Sequence, residues 1–310
     1  MQYFAFRSTM TSDQRVRYVV ENAYDVSYPE AWPGSTVFWT TNVVDADSWK
    51  RVPDTYYTEG KLHWQHRGPA YFSYFPPYSY NRHLQFVSEC AKYATVESLG
   101  QSLEGREIEC ITTGTGPLKC WIIHRQHPGE SMAEYYAEGL LTKLLGMNGN
   151  DDAQRVKELY TFYIVPCMCP DGSVRGHLRT NACGANLNRE LATVQPHYTA
   201  PSLEHSPEVY HVLNKMDETG VDCLLDIHGD EELPYNFLSG GENVPRWSQR
   251  LEKLHGAFLA AYCRADSDMQ AKFGYPPMED PEQVLKYMNV ATNQVVNRFE
   301  CFGATLEMPF

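Results

Sequence analysis

Four side chains in this 310-residue sequence stand out for the chemistry they could share. They are His127 and Glu130 in His-Pro-Gly-Glu, His228 in Leu-Asp-Ile-His-Gly, and Glu307 in Thr-Leu-Glu-Met-Pro-Phe. Two imidazoles and one carboxylate can fill three corners of a tetrahedral zinc, and the open fourth corner keeps the water that does chemistry. Such a set reads as a mononuclear zinc hydrolase. A lone His-x-x-Glu arises by chance in many chains, so the weight lies on the elements that would bring the pieces together.

Each piece follows an apolar run. Leu118-Lys119-Cys120-Trp121-Ile122-Ile123-His124 predicts a buried strand shortly before His127. Gly129 permits a tight turn, and Glu130 is predicted in the first turn of a helix with the apolar stripe Ala133, Tyr136, Ala137, Leu140, Leu141 and Leu144. A histidine at a strand end and a glutamate at the next helix start can converge on one ion. His228 closes the run Val221-Asp222-Cys223-Leu224-Leu225-Asp226-Ile227, typical of a parallel strand covered on both faces, and Glu307 follows Phe302-Gly303-Ala304-Thr305-Leu306. Ligand sites in open α/β sheets lie at such strand ends, and three coincident candidates are far less expected by chance than one.

Six blocks in order resemble the signature blocks of the zinc carboxypeptidases, and within that family the cytosolic carboxypeptidase subfamily with its bacterial relatives. They are His127-Pro128-Gly129-Glu130, Cys169-Pro170-Asp171-Gly172, Arg175-Gly176-His177-Leu178-Arg179-Thr180-Asn181, Gly184-Ala185-Asn186-Leu187-Asn188-Arg189, Asp226-Ile227-His228-Gly229-Asp230-Glu231 and Leu306-Glu307-Met308-Pro309-Phe310. Ser98-Leu99-Gly100-Gln101-Ser102-Leu103-Glu104-Gly105-Arg106 resembles the segment that opens the family's catalytic domain, and the likeness spans roughly residues 70 to 310. The resemblance implies that His127, Glu130 and His228 bind one zinc. It implies Glu307 as the general base that takes a proton from the zinc-bound water and passes it to the leaving amine. Arg179 would steady the oxyanion, and Asn188 with Arg189 would clamp the substrate's terminal carboxylate, which suits an exopeptidase.

Three departures qualify that picture. The family commonly has Asp where this chain has Asn186, so the work of that carboxylate is open. Digestive members use a mobile Tyr some twenty residues before the base; Tyr275 and Tyr287 lie in the right part of the chain, and a helix through Val284, Tyr287, Met288 and Ala291 would pack Tyr287 in the core. Members that trim glutamate are expected to carry a basic residue in the side-chain pocket. By resemblance that position falls at Thr292 beside Asn293, with Lys286 and Arg298 the nearest cations, which points to a polar uncharged pocket.

Composition fits a mixed α/β protein in two parts. With 39 acidic against 26 basic residues the net charge is −13, which repels polyanions at long range, argues against a nucleic-acid partner and lowers the odds of an acidic tail as substrate. Nine cysteines scattered through strand-like runs read as buried free thiols; with neither a signal-peptide pattern nor an apolar run of membrane-spanning length, a cytoplasmic location without membrane association is expected. Before residue 75, Gln2–Arg7, Arg15–Val19, Val37–Thr40 and Ala70–Tyr74 alternate like short antiparallel strands. That gives a small β domain over 1–75 and a catalytic domain over 76–310, opened by a helix with the stripe Leu84, Val87 and Ala91. Strands near 107–113, 118–124, 160–166, 221–227 and 302–306 and helices near 131–146, 206–218 and 246–262 then imply an α/β/α sandwich around a mixed sheet. The resemblance also implies further strands before Met1 and a closing helix after Phe310. The expected activity is removal of C-terminal residues from peptides or protein tails. Two rivals are a zinc amidohydrolase of small N-acyl amino acids and an inactive module that binds C-terminal tails.

Overall fold

A computed structural model of the chain describes residues 2–10, 14–150, 152–192, 199–242, 244–276 and 280–310. The described residues fall into two units. The first comprises Met1–Tyr78 with Asp230–Pro234 and Phe310. It holds β1 (Ala5–Ser8), β2 (Arg15–Val20), β3 (Phe38–Thr40), β4 (Lys50–Arg51), β5 (Tyr56–Thr58), β6 (Lys61–Arg67) and β7 (Ala70–Ser73). All pair antiparallel, in a sheet ordered β1-β7-β3-β4 and another ordered β2-β6-β5. Aromatic rings join the two sheets: buried Trp64 of β6 lies 5.5 Å from Tyr18 and 5.6 Å from Phe72 of β7. Ring pairs at such separations add to the large apolar area each buries.

The second unit, Ser79–Gly229 with Tyr235–Pro309, carries the candidate site. Its strands are β8 (Thr95–Gln101), β9 (Glu107–Thr113), β10 (Leu118–His124), β11 (Tyr160–Val165), β12 (Cys223–Asp230), β13 (Phe237–Gly240) and β14 (Phe302–Pro309), in the order β13-β14-β12-β10-β11-β9-β8. Its helices are α1 (Tyr80–Cys90), α2 (Ser131–Leu144), α3 (Gln154–Leu159), α4 (Pro170–Arg175), α5 (Pro207–Thr219), α6 (Gln249–Ala265), α7 (Pro281–Lys286) and α8 (Ala291–Phe299). The sheet is mixed, with β10 parallel to both β11 and β12 and the β8–β9, β9–β11 and β13–β14 pairs antiparallel.

Alternate residues of β10 explain the three layers. Cys120 and Ile122 pack in one core with Ala133, Leu141 and Leu144 of α2, while Trp121 and Ile123 pack in a second core with Val209, Val212 and Met216 of α5 and Val295 of α8. A strand covered on both faces has to be apolar throughout, which is why β10 reads as an unbroken run. Burying a leucine such as Leu141 contributes about 1.5–3 kcal/mol, and that holds α2, with Glu130 at its start, against the sheet. On α1 the expected stripe is off by a residue: His83, Val87 and Cys90 are buried, and Leu84 is exposed. A histidine takes the inward position because its two ring nitrogens pair with the buried carboxylates of Glu109 and Glu134.

Topology locates the crevice. The chain leaves β10 toward β11 on one side, yet the neighbour on its other side is β12. Connections from β10 and β12 therefore diverge, and the gap left outside the carboxyl ends of these two strands is where open α/β sheets bind ligands. His127 follows β10, and His228 lies near the end of β12.

Candidate metal centre and active site

The turn from β10 into α2 brings two of the candidates together. His124 to Glu130 are all buried. Gly129 is needed for close approach rather than for an unusual dihedral: a Cβ there would meet the Leu178 carbonyl oxygen at 2.7 Å, and the Gly129 N–H donates to that same oxygen at 2.8 Å. This contact fastens the turn to the segment bearing Arg179. Glu130 occupies the cap position of α2, just ahead of the first turn expected for it.

Three donor atoms converge. His127 Nδ1 lies 2.5 Å from Glu130 Oε1, His228 Nδ1 lies 2.8 Å from Glu130 Oε2, and the two Nδ1 atoms are 3.2 Å apart. His127, Glu130 and His228 form a buried group with donor atoms all within 4.8 Å of one another, and it could hold a metal ion. Zinc fits this set. Ligands at about 2.0–2.1 Å from a tetrahedral zinc stand about 3.3 Å from each other, so the imidazole pair already has the spacing and Glu130 needs to open by less than an ångström.

The far side of each ring is anchored. His127 Nε2 lies 3.0 Å from Asn186 Oδ1, and His228 Nε2 lies 3.0 Å from Asp226 Oδ1. An Nε2–H donated outward fixes the tautomer and leaves the Nδ1 lone pair for an ion. Asn186 thus supplies an uncharged acceptor oxygen. Asp226 was not singled out from the sequence, although its place two residues before His228 on one strand face was the signal for it. Charges here are strongly biased. Burial pulls the His127 proton affinity down and Arg179 adds to that, outweighing Glu130. Burial also opposes charge on His228, but Asp226 and Glu130 outweigh it and hold its pKa well above the usual imidazole range. For Glu130, burial is overcome by the two imidazoles, which keep the carboxylate below its ordinary range.

Of the remaining candidates, Asn188 approaches a donor residue, His228. Glu307 is buried on β14, the neighbour of β12, and the Tyr275 hydroxyl donates to its Oε1 at 3.2 Å. A Cβ on Gly229 would lie 3.3 Å from the Met308 carbonyl oxygen, so the segments carrying His228 and Glu307 run side by side. Asn188 is buried; its Oδ1 accepts from the Ala291 N–H at 2.8 Å, and its Nδ2 is 3.4 Å from His228 Nε2. Arg189 ends a 3-10 turn over Leu187–Arg189, with its guanidinium 5.7 Å from the centre of the Tyr287 ring. Tyr287 is therefore not a core residue. Helix α7 stops at Lys286, which leaves Tyr287 at its C-cap and 41% exposed beside Arg189. Thr292 is buried with its hydroxyl 2.7 Å from that of Thr305, and Arg298 is tied to Asp217 by an Nε–Oδ1 contact of 2.7 Å.

The sequence profile described as zinc carboxypeptidase matches residues 80–308. The chain belongs to that family. The profile described as the cytosolic carboxypeptidase N-terminal domain matches residues 1–78. A crystal structure of a metallo-carboxypeptidase from Burkholderia cenocepacia superposes with a TM-score of 0.91 at 38% identity, covering 99% of this chain and 80% of that one. A metallo-carboxypeptidase from Pseudomonas aeruginosa, in complex with (2-guanidinoethylmercapto)succinic acid, gives 0.89 at 37% identity over 100% and 80% of the two chains. Cytosolic carboxypeptidase 6 of Caenorhabditis elegans is 26% identical over 228 residues, a match that covers 64% of this chain and 48% of that relative's length. Among the described residues no helix of this carboxypeptidase is long and apolar enough to cross a membrane.

Proposed function

We propose that this chain is a zinc-dependent exopeptidase that hydrolyses the C-terminal peptide bond of peptides or protein tails, with the chemistry in residues 76–310. The observation that carries the reading is the buried group of two Nδ1 atoms and one carboxylate with both outer imidazole nitrogens anchored. Zinc, when bound there, supplies a Lewis acid that polarises the scissile carbonyl and brings the pKa of a water toward 7. Glu307 would receive a proton from the attacking water and return it to the departing amine, and the Tyr275 hydroxyl, which donates to its Oε1, holds the carboxylate in place. Arg179 offers a fixed positive charge to the developing oxyanion. The Arg189 fork, with Asn188 beside it, matches the two oxygens of a terminal carboxylate.

Support for an uncharged terminal side chain comes from Thr292 and Asn293, at the position where a basic residue would select glutamate, and from Arg298 being held by Asp217. The carboxylates of the succinic acid derivative bound by the Pseudomonas relative are the kind of group Arg189 would grip. Names of relatives as cytosolic enzymes, together with nine free cysteines, support a cytoplasmic setting. An amidohydrolase of small N-acyl amino acids is disfavoured by the N-terminal domain match, and an inactive tail-binding module by the retained Glu307. The test pairs a peptide bearing a free C-terminus with its C-terminal amide. The acid is expected to be cut and the amide spared, and Arg189→Ala is expected to lower kcat/KM on the acid by about 2–5 kcal/mol, the scale for removing one partner of a buried charge pair. Equal cleavage of acid and amide by the parent chain overturns the exopeptidase assignment.

A further inference from the structure

Beside the donor group, the second unit buries a chain of four charged side chains that the reaction itself does not use. Arg125 is 4% exposed; its Nε donates to the Pro128 carbonyl oxygen at 2.8 Å, and its Nη1 pairs with Glu134. Glu134 accepts from His83 Nδ1 at 2.8 Å, and His83 Nε2 lies 3.2 Å from Glu109 of β9. The signs alternate, so the chain is neutral as a whole. Only an imidazolium can donate to two carboxylates at once, and although burial works against it, Glu109 and Glu134 push the His83 pKa up to about 9.

The first two members of this chain bear on the turn that presents His127 and Glu130. Pro128 lies between them, and Glu134 sits one turn into α2 beyond Glu130. Arg125 itself has φ of +54°, a left-handed conformation that residues with side chains seldom adopt and that persists where surroundings over-determine it. A guanidinium is suited to the task because its separate N–H groups reach a carbonyl and a carboxylate in different directions, which a lysine ammonium on a flexible stem does not reproduce.

We infer that Arg125 is a positioning residue for the zinc donors: its fork braces the His127–Glu130 turn against α2, and Glu134, His83 and Glu109 hold the fork in place. The turn is then preset at donor spacing before an ion arrives. This rests on the zinc reading above, and the test keeps the two separable.

The test compares Arg125→Lys and Glu109→Gln with the parent, reading zinc affinity by competition with a chromophoric chelator, the visible spectrum of the cobalt(II)-substituted protein, folding of the metal-free chain by circular dichroism, and kcat and KM separately. Arg125→Lys is expected to fold, to bind zinc about tenfold or more weakly, to change the cobalt spectrum, and to lower kcat with little change in KM. Glu109→Gln, at the far end, is expected to shift affinity the same way by a smaller factor. Parental zinc affinity and cobalt spectrum in Arg125→Lys overturn the inference. If Arg125→Lys does not fold, Glu109→Gln decides on the same criteria, and failure of both to fold also overturns it by showing a network that maintains the fold alone. A parent chain that binds no zinc, judged against His228→Ala, removes the zinc reading instead.

Discussion

Replacing Asp226 with Asn tests how firmly the second imidazole is prepared for an ion. The carboxylate is fully buried, with Oδ1 3.0 Å from His228 Nε2 and Oδ2 2.8 Å from Gln126 Nε2. The substitution keeps volume and shape. Its new NH2 group would face the Gln126 NH2, but the Gln126 amide can turn over and present its oxygen, so the hydrogen bond is restored and the fold is expected to survive. What cannot be restored is the negative charge behind His228, which strengthens Nδ1 as a donor. Losing an outer partner of this kind costs about 10–100-fold in metal affinity. That range equals about 1.4–2.8 kcal/mol, and the upper half is expected because a buried contact is little screened by solvent or salt. Two assays read it: chelator competition at fixed pH, and the zinc-dependent gain in unfolding free energy, which follows the ratio of zinc concentration to dissociation constant and should shrink by the same amount. Zinc affinity within about twofold of the parent, in a variant whose metal-free stability is unchanged, would refute the argument that Asp226 tunes His228.

Elemental analysis of the purified parent should give about one zinc per chain, and His228→Ala should lose it, since two remaining donors do not make a tetrahedral site; full occupancy in the variant removes His228 from the donor set. Glu307→Gln should keep zinc while turnover falls by roughly 10²-fold or more, the scale of general acid–base catalysis. Retained turnover would shift the base to another carboxylate.

Strands β10, β11, β12 and β14 were legible because a strand covered on both faces leaves an apolar run with nothing to interrupt it. Strand β6 was not. Leu62, His63 and Trp64 are buried in succession, so the alternation that marks a half-exposed strand is absent, and polar Gln65 and His66 follow. The four-residue edge strand β13 is too short to show any period. On α1 the periodic reading chose Leu84 over His83 because it ranks positions by apolarity. A histidine set between Glu134 and Glu109 earns an inward place through ion pairing, which hydrophobic pattern cannot see.

The donors themselves were legible for the same local reason: His127 and Glu130 are three residues apart, and His228 stands near a strand end. The partner of His127 comes from distant chain. Asn186 is 59 positions from His127, and Tyr287 was misread because a helical period was carried past the real end of α7. Asn186 also shows why residue type alone misleads. The two imidazoles are backed unequally, His228 by the charge of Asp226 and His127 by a neutral amide oxygen, with proton affinities displaced in opposite directions. A buried Nε2–H needs an acceptor, and an amide oxygen at 3.0 Å is one; it does not need a charge. With Arg179 already acting on His127, a neutral acceptor keeps that ring's tautomer fixed without drawing a proton onto Nδ1. The departure at Asn186 thus preserves what the position does for an ion while changing how strongly it does it.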